Sequence, residues 1–177
     1  MKIAYTMAPG RGDTDLLLYR LAQELIARGI NTCGTVQINS EGPGSGPCDM
    51  DIQVLPDGAI LRISQSLGKE SRGCRLDPAM LEQAVVLCQA RIAREPDLLP
   101  DILIVNKFGK HEAEGRGFRS LIAEALARDI PVLVGLNALS QAAFEQFCAG
   151  IAVELPPNIG ALRSWVENAL SIEYEYS

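Results

Sequence analysis

Three stretches of this chain gather glycine and charged side chains at spacings suited to handling an anion. The first is Gly10-Arg11-Gly12-Asp13-Thr14, between an apolar run from Lys2 to Met7 and a stretch with apolar residues at helical spacing. It parallels the end of the phosphate-binding pattern G-x-x-x-x-G-K-[ST]. In that pattern backbone amides cradle phosphates, the lysine offsets their charge and the hydroxyl holds magnesium. Here Met7 stands at the leading glycine and Asp13 at the lysine. A carboxylate there repels phosphate, which leaves Thr14 as the metal-side group and Arg11 as the replacement cation. Gly10 and Gly12 supply the backbone amides. The simpler reading of Asp13, and the favoured one, is a helix cap.

The second stretch is Arg72-Gly73-Cys74-Arg75-Leu76-Asp77. Two flanking guanidinium groups lower a thiol's pKa and also grip an oxyanion, so Arg72, Cys74 and Arg75 are candidate ligand contacts. With no histidine nearby in sequence, anion contact is the better reading than covalent catalysis by Cys74.

The third stretch runs from Asn106 through Lys107, Gly109, Lys110, His111, Glu112, Glu114 and Arg116 to Gly117, directly after a continuously apolar strand. Asn106-Lys107-Phe108-Gly109 parallels a guanine-reading Asn-Lys-x-Asp but lacks its carboxylate, and that match is read as accidental. Glu112 and Glu114 can hold a metal or position water. The default for such a charge run is a solvated face, with pairing to Arg116 and Lys110. His111, the chain's one histidine, is expected at the surface.

The elements that must position these loops follow from periodicity. Lys2 to Met7 reads as a strand, and Leu16, Leu17, Leu21, Leu25 and Ile26 mark a helix capped by Asp13 or Thr14 and ended by Gly29. Thr32 to Ile38 is a second strand, followed by the glycine-proline loop 42–47. Asp51 to Leu55 and Ala59 to Ser64 flank Asp57-Gly58 as a hairpin. Asp77-Pro78 starts a helix reaching about Ala93. Asp101 to Asn106 and Pro131 to Leu136 are strands buried on both faces, central in the sheet. Helices follow at about 118–128, 141–148 and 159–170, and the tail from Glu173 to Tyr176 reads as solvated or loosely docked. This order predicts one α/β domain over residues 1–177, a doubly wound, mostly parallel sheet with an inserted hairpin. Its ligand loops lie beyond the strands' carboxyl ends, after residues 7, 65 and 106.

Composition narrows the partners. A net charge of −6 and a pI near 4.8 disfavour nucleic acid and anionic membranes. No apolar run approaches the roughly 20 residues that cross a bilayer. Five cysteines without a CxxC pair, and the single histidine, argue against a zinc site and for a reducing cytoplasm. With Met1 leading straight into a strand, no signal peptide is expected. A small-molecule anion, a nucleotide or a protein partner remains, and a homo-oligomer is open.

Together, Gln65, Arg72 to Pro78, Asn106 to Lys110 and Glu112 to Gly117 resemble a bacterial family of unknown function. That family is similar in layout to the small P-loop nucleoside triphosphatases of the thermophilic NTPase and adenylate-kinase group. The resemblance implies a three-layer α/β/α P-loop fold. In those enzymes the second catalytic strand ends in Asp-Glu followed by Gly-Lys-x-Glu. Asn106-Lys107 replaces the acidic pair here, while Gly109-Lys110-His111-Glu112 keeps the rest. Loss of the lysine, the magnesium-binding acid and the water-activating acid removes most electrostatic stabilisation of phosphoryl transfer. The expectation is therefore binding of a nucleotide or a phosphate-like or molybdate-like oxyanion without conventional ATP hydrolysis. The resemblance also implies a link to molybdenum metabolism. Cofactors in that reading are a nucleotide with magnesium, or molybdate. One alternative is an active triphosphatase or phosphotransferase in which Lys107 or Arg11 replaces the lysine and Glu112 or Glu114 serves the metal. Another is a non-catalytic regulatory or scaffold protein.

Overall fold

The computed structural model describes residues 2–40, 49–65 and 76–174. Arg72, Cys74, Arg75, the 42–47 loop and the last residues of the tail lie outside these.

Two strands that are apolar at every position anchor the sheet. β5 (Ile102–Val105) and β6 (Val132–Gly135) are buried along their whole length, as burial on both faces requires. β1 (Ile3–Thr6), β2 (Thr32–Ser40), β3 (Asp49–Val54), β4 (Ile60–Arg62) and β7 (Val153–Leu155) complete a seven-stranded sheet of order β4-β3-β2-β5-β6-β1-β7. Pairing is parallel from β2 through β5, β6 and β1 to β7, and antiparallel between β2, β3 and β4.

Alternate strand residues face opposite sides, which gives two apolar layers. Ala4, Ile102, Ile104 and Leu133 pack under α1 (Asp13–Ala27) and α6 (Ile159–Tyr174), meeting Leu18, Leu21, Leu25, Leu162 and Val166. Tyr5, Leu103, Val105, Val132 and Val134 pack on the other face under α2 (Pro78–Ile92), α4 (Arg119–Ala127) and α5 (Gln141–Cys148). α3 (Lys110–Ala113) is a single turn after β5. The result is the expected three-layer α/β/α sandwich.

Several boundaries depart from expectation. The hairpin is part of a three-stranded antiparallel meander, because β2 runs on to Ser40 and pairs with β3 from Thr35↔Val54 to Ser40↔Asp49. β7 had no expected counterpart: Val153 and Glu154 are exposed on this three-residue edge strand, so its alternation is too short to read. α6 continues through Glu173 and Tyr174 instead of releasing a tail at 170. Asp77 does cap α2, its Oδ1 accepting the Ala79 and Met80 amides at 3.0 and 3.3 Å.

Candidate functional site

Strand order decides which loops meet. β6 lies between β1 and β5, and all three run parallel, so their following loops open on one edge. At the usual strand spacing, β1 and β5 are about 10 Å apart. The loop of Gly10 to Thr14 and the stretch from Asn106 therefore flank one place, which strand order alone decides.

The helix-capping reading of Asp13 and Thr14 does not hold. Gly12, in the left-handed region at φ 79°, is the N-cap of α1, and no side chain caps the helix. Glycine is suited to that position because it lacks the Cβ penalty. The Asp13 carboxylate instead folds back over Gly10, where an added Cβ would lie 1.9 Å from Oδ2. Thr14 turns inward, and its hydroxyl accepts the Ala8 amide at 2.9 Å, closing the loop on itself.

Asn106, at the end of β5, is buried and fully engaged. Its Nδ2 donates to Asp15 Oδ1 at 2.9 Å and to Gln37 Oε1 at 3.4 Å, and its Oδ1 accepts the Gln37 amide at 3.0 Å. The amide thus ties α1, β2 and β5 together, so the position at which the resemblance led one to look for a metal-binding acid is a structural knot here. Asp15 and Gln37 lie 91 and 69 residues from Asn106, and no short-range spacing could have revealed them.

The third stretch is built around one buried carboxylate, Glu112, and a buried His111, which corrects the solvated reading of the first and the surface reading of the second. Glu112 is 2% exposed: Oε2 accepts the Gly109 amide at 2.9 Å and Oε1 the Phe118 amide at 3.3 Å. His111 is also buried, with Nε2 at 2.8 Å from Glu82 Oε1, which additionally accepts the Gly117 amide at 2.7 Å. The loop folds tightly because residue 117 is glycine. A Cβ there would lie 2.2 Å from Glu112 Oε1, at a φ of +60°. The signal for burial was present in Gly115 and Gly117, which allow positive φ and close approach. Glu82, on a helix far from this loop in sequence, carried none.

Glu114 behaves as expected of an exposed acid, pairing with Arg116 and, at 3.8 Å, with Lys110. Lys107 and Arg11 are exposed and form no ion pair among the described residues. These two are the site's uncommitted cations. Of the groups expected to serve a metal, Thr14 is engaged with Ala8, Asn106 is an amide whose oxygen is taken, and Glu112 has both oxygens on backbone amides. Among the described residues no three His, Cys, Asp or Glu side chains gather as a metal site. No described helix is long and apolar enough to cross a membrane.

The architecture has known counterparts. THEP1 from the hyperthermophile Aquifex aeolicus superposes with a TM-score of 0.61 at 17% identity, over 97% of this chain and 98% of that one. A human cancer-related nucleoside triphosphatase superposes at 0.60 and 15% identity over the whole of both chains. These likenesses establish the P-loop NTPase fold. In sequence, the chain is 35% identical over 166 residues to the molybdenum import ATP-binding protein ModC 2 of Bradyrhizobium diazoefficiens (strain JCM 10833 / BCRC 13528 / IAM 13628 / NBRC 14792 / USDA 110). That match covers 93% of this chain and 18% of the relative, so the chain corresponds to a small part of the longer protein. Residues 3–165 match the family described as protein of unknown function (DUF2478), and the chain belongs to that family.

Proposed function

We propose that this chain is a binding, non-hydrolysing form of the P-loop fold that holds a nucleotide or a tetrahedral oxyanion at the sheet edge between Arg11 and Lys107. The observation that carries this reading is the inverted charge order at that edge. A carboxylate, Asp13, lies over the loop glycine, a lysine stands beyond β5, and the amide of Asn106 is locked to Asp15 and Gln37. An anion is then held by the two free cations rather than by a lysine and magnesium. Transition-state charge on a transferring phosphoryl group has no matching stabilisation.

The name of the ModC 2 relative supports placing molybdate among the ligands and a molybdenum transport ATPase among the partners. Calorimetry with ADP, ATP, phosphate and molybdate, each with and without magnesium, tests the reading alongside a phosphate-release assay. Binding that ignores magnesium, with no release, is the expected outcome. Magnesium-dependent release abolished by Lys107→Ala would establish the enzyme alternative, and no binding of any of the four would leave the scaffold role.

A further inference from the structure

A helix as short as α3, four residues long, does not hold itself in place. Its single turn fixes several backbone dihedrals for one hydrogen bond, so it depends on contacts made elsewhere. Most bonds of residues 109–117 turn back within 109–119. The amides of 113–116 donate to carbonyls of 109–112, Glu112 takes the Gly109 and Phe118 amides, and Glu114 pairs with Lys110 and Arg116. Among the described residues, the hydrogen bonds that leave the segment both end on one atom of α2. Glu82 Oε1 accepts His111 Nε2 at 2.8 Å and the Gly117 amide at 2.7 Å. A carboxylate only accepts, so Nε2 is the proton-bearing nitrogen of His111.

Glu82 is well placed to act as a fixed point. Leu81, Ala84, Val85 and Cys88 on either side of it bury α2 in the core. The imidazole is buried, whereas the Glu82 side chain is 46% exposed, so losing this acid opens a surface contact and leaves no cavity in the core. The segment it holds also carries the bed of Lys107. An added Cβ at Gly109 would lie 3.8 Å from Lys107 Cε and 3.7 Å from Glu112 Oε2, so the lysine stem runs along the Gly109 backbone that Glu112 fixes.

We propose that Glu82 is a positioning residue for the anion site, the tether that seats residues 109–117 and through them the Lys107 side chain. The proposal rests on the ligand reading above, because Lys107 is one of its two cations. Glu82 touches no ligand in this account and acts through His111 and Gly117.

The test uses the whole chain carrying Glu82→Ala or Glu82→Gln. Glutamine keeps an acceptor oxygen for His111 and Gly117, and the oxygen that its amide nitrogen replaces has no hydrogen bond among the described residues. Without ligand, amide hydrogen exchange at 109–117 should become about tenfold faster in Glu82→Ala and stay at the wild-type rate in Glu82→Gln, with β5 and β6 protected in both. His111 is the chain's one histidine, and its imidazole nitrogen resonances should lose the Nε2-protonated pattern as exchange rises. Calorimetry with ADP then separates position from charge. Glu82 is an acid, so by Coulomb's law alone its removal favours an anion, and both variants would bind ADP more tightly. A tether gives the opposite sign for alanine: binding about tenfold weaker in Glu82→Ala, no weaker than wild type in Glu82→Gln, and no effect of Glu82→Ala once Lys107 is replaced by alanine. Tighter binding in both variants, or unchanged exchange at 109–117 in Glu82→Ala, would overturn the proposal. So would an alanine effect that persists without Lys107. If Lys107→Ala by itself leaves ADP affinity unchanged, the ligand reading fails instead, and the exchange rates alone decide whether Glu82 is the tether.

Discussion

Asp13 places a negative charge against the backbone of the loop that precedes α1, and its effect is local because the carboxylate is exposed. Two unit charges about 5 Å apart in near-aqueous surroundings interact by roughly 1 kcal/mol. Asp13→Asn is therefore expected to tighten phosphate or ADP binding about fivefold by calorimetry, with the gain shrinking as salt rises. An unchanged affinity would mean that the anion does not sit at this loop. The identity of Asp13 was legible from the motif alone, but its orientation was not. A carboxylate at a helix start ordinarily accepts a backbone amide, and here Gly12 takes the cap position and leaves the side chain over Gly10. Glu112 shows the same limit from the other direction. Its place in a charged run pointed to solvent, whereas two backbone amides converging on it make burial favourable.

At the scale of elements, the join between β2 and β5 carries the antiparallel half of the sheet. Gly34 pairs with Ile104 there at φ +108°, and an added Cβ would fall 1.9 Å from the Ile104 carbonyl oxygen. Gly34 also accepts the Leu55 amide at 2.9 Å. Gly34→Ala should destabilise the fold by about 3 kcal/mol, the sum of backbone strain and overpacking. It should be read as a lowered urea midpoint; a loss under about 1 kcal/mol would show that the strand pair can separate at little cost. The central strands β5 and β6 were evident from unbroken apolar runs. The edge strand β7 was not, because three residues, two of them exposed, carry too little period.

The whole molecule shields its described thiols. Cys33, Cys88 and Cys148 are all buried and unpaired by disulfides. Burial pushes Cys148 up to about 11, and Cys88 is raised by its contact with the Cys33 thiol and by desolvation. At pH 8, three units below 11, about one Cys148 in a thousand is thiolate. The same contact lowers the Cys33 thiol, so its protection rests on burial; native protein should leave these three unmodified by an aromatic disulfide reagent, and all three should react together as urea unfolds the chain. Fast labelling of any of them in native conditions would reveal local opening of the sandwich.

The sequence by itself determined the alternation of strands and helices, the central place of β5 and β6, the cap of α2 and the residues whose charges depart from an active phosphate-binding site. Each of these is a local property, set by hydrophobic period, capping chemistry or side-chain type. Only the tertiary structure decided that β6 separates β1 from β5 and brings their loops to one edge, that Asn106 is tied to Asp15 and Gln37, and that Glu82 holds His111. Those contacts join residues 29 to 91 positions apart, and distances of that kind are fixed by strand order and packing, which no window of sequence encodes.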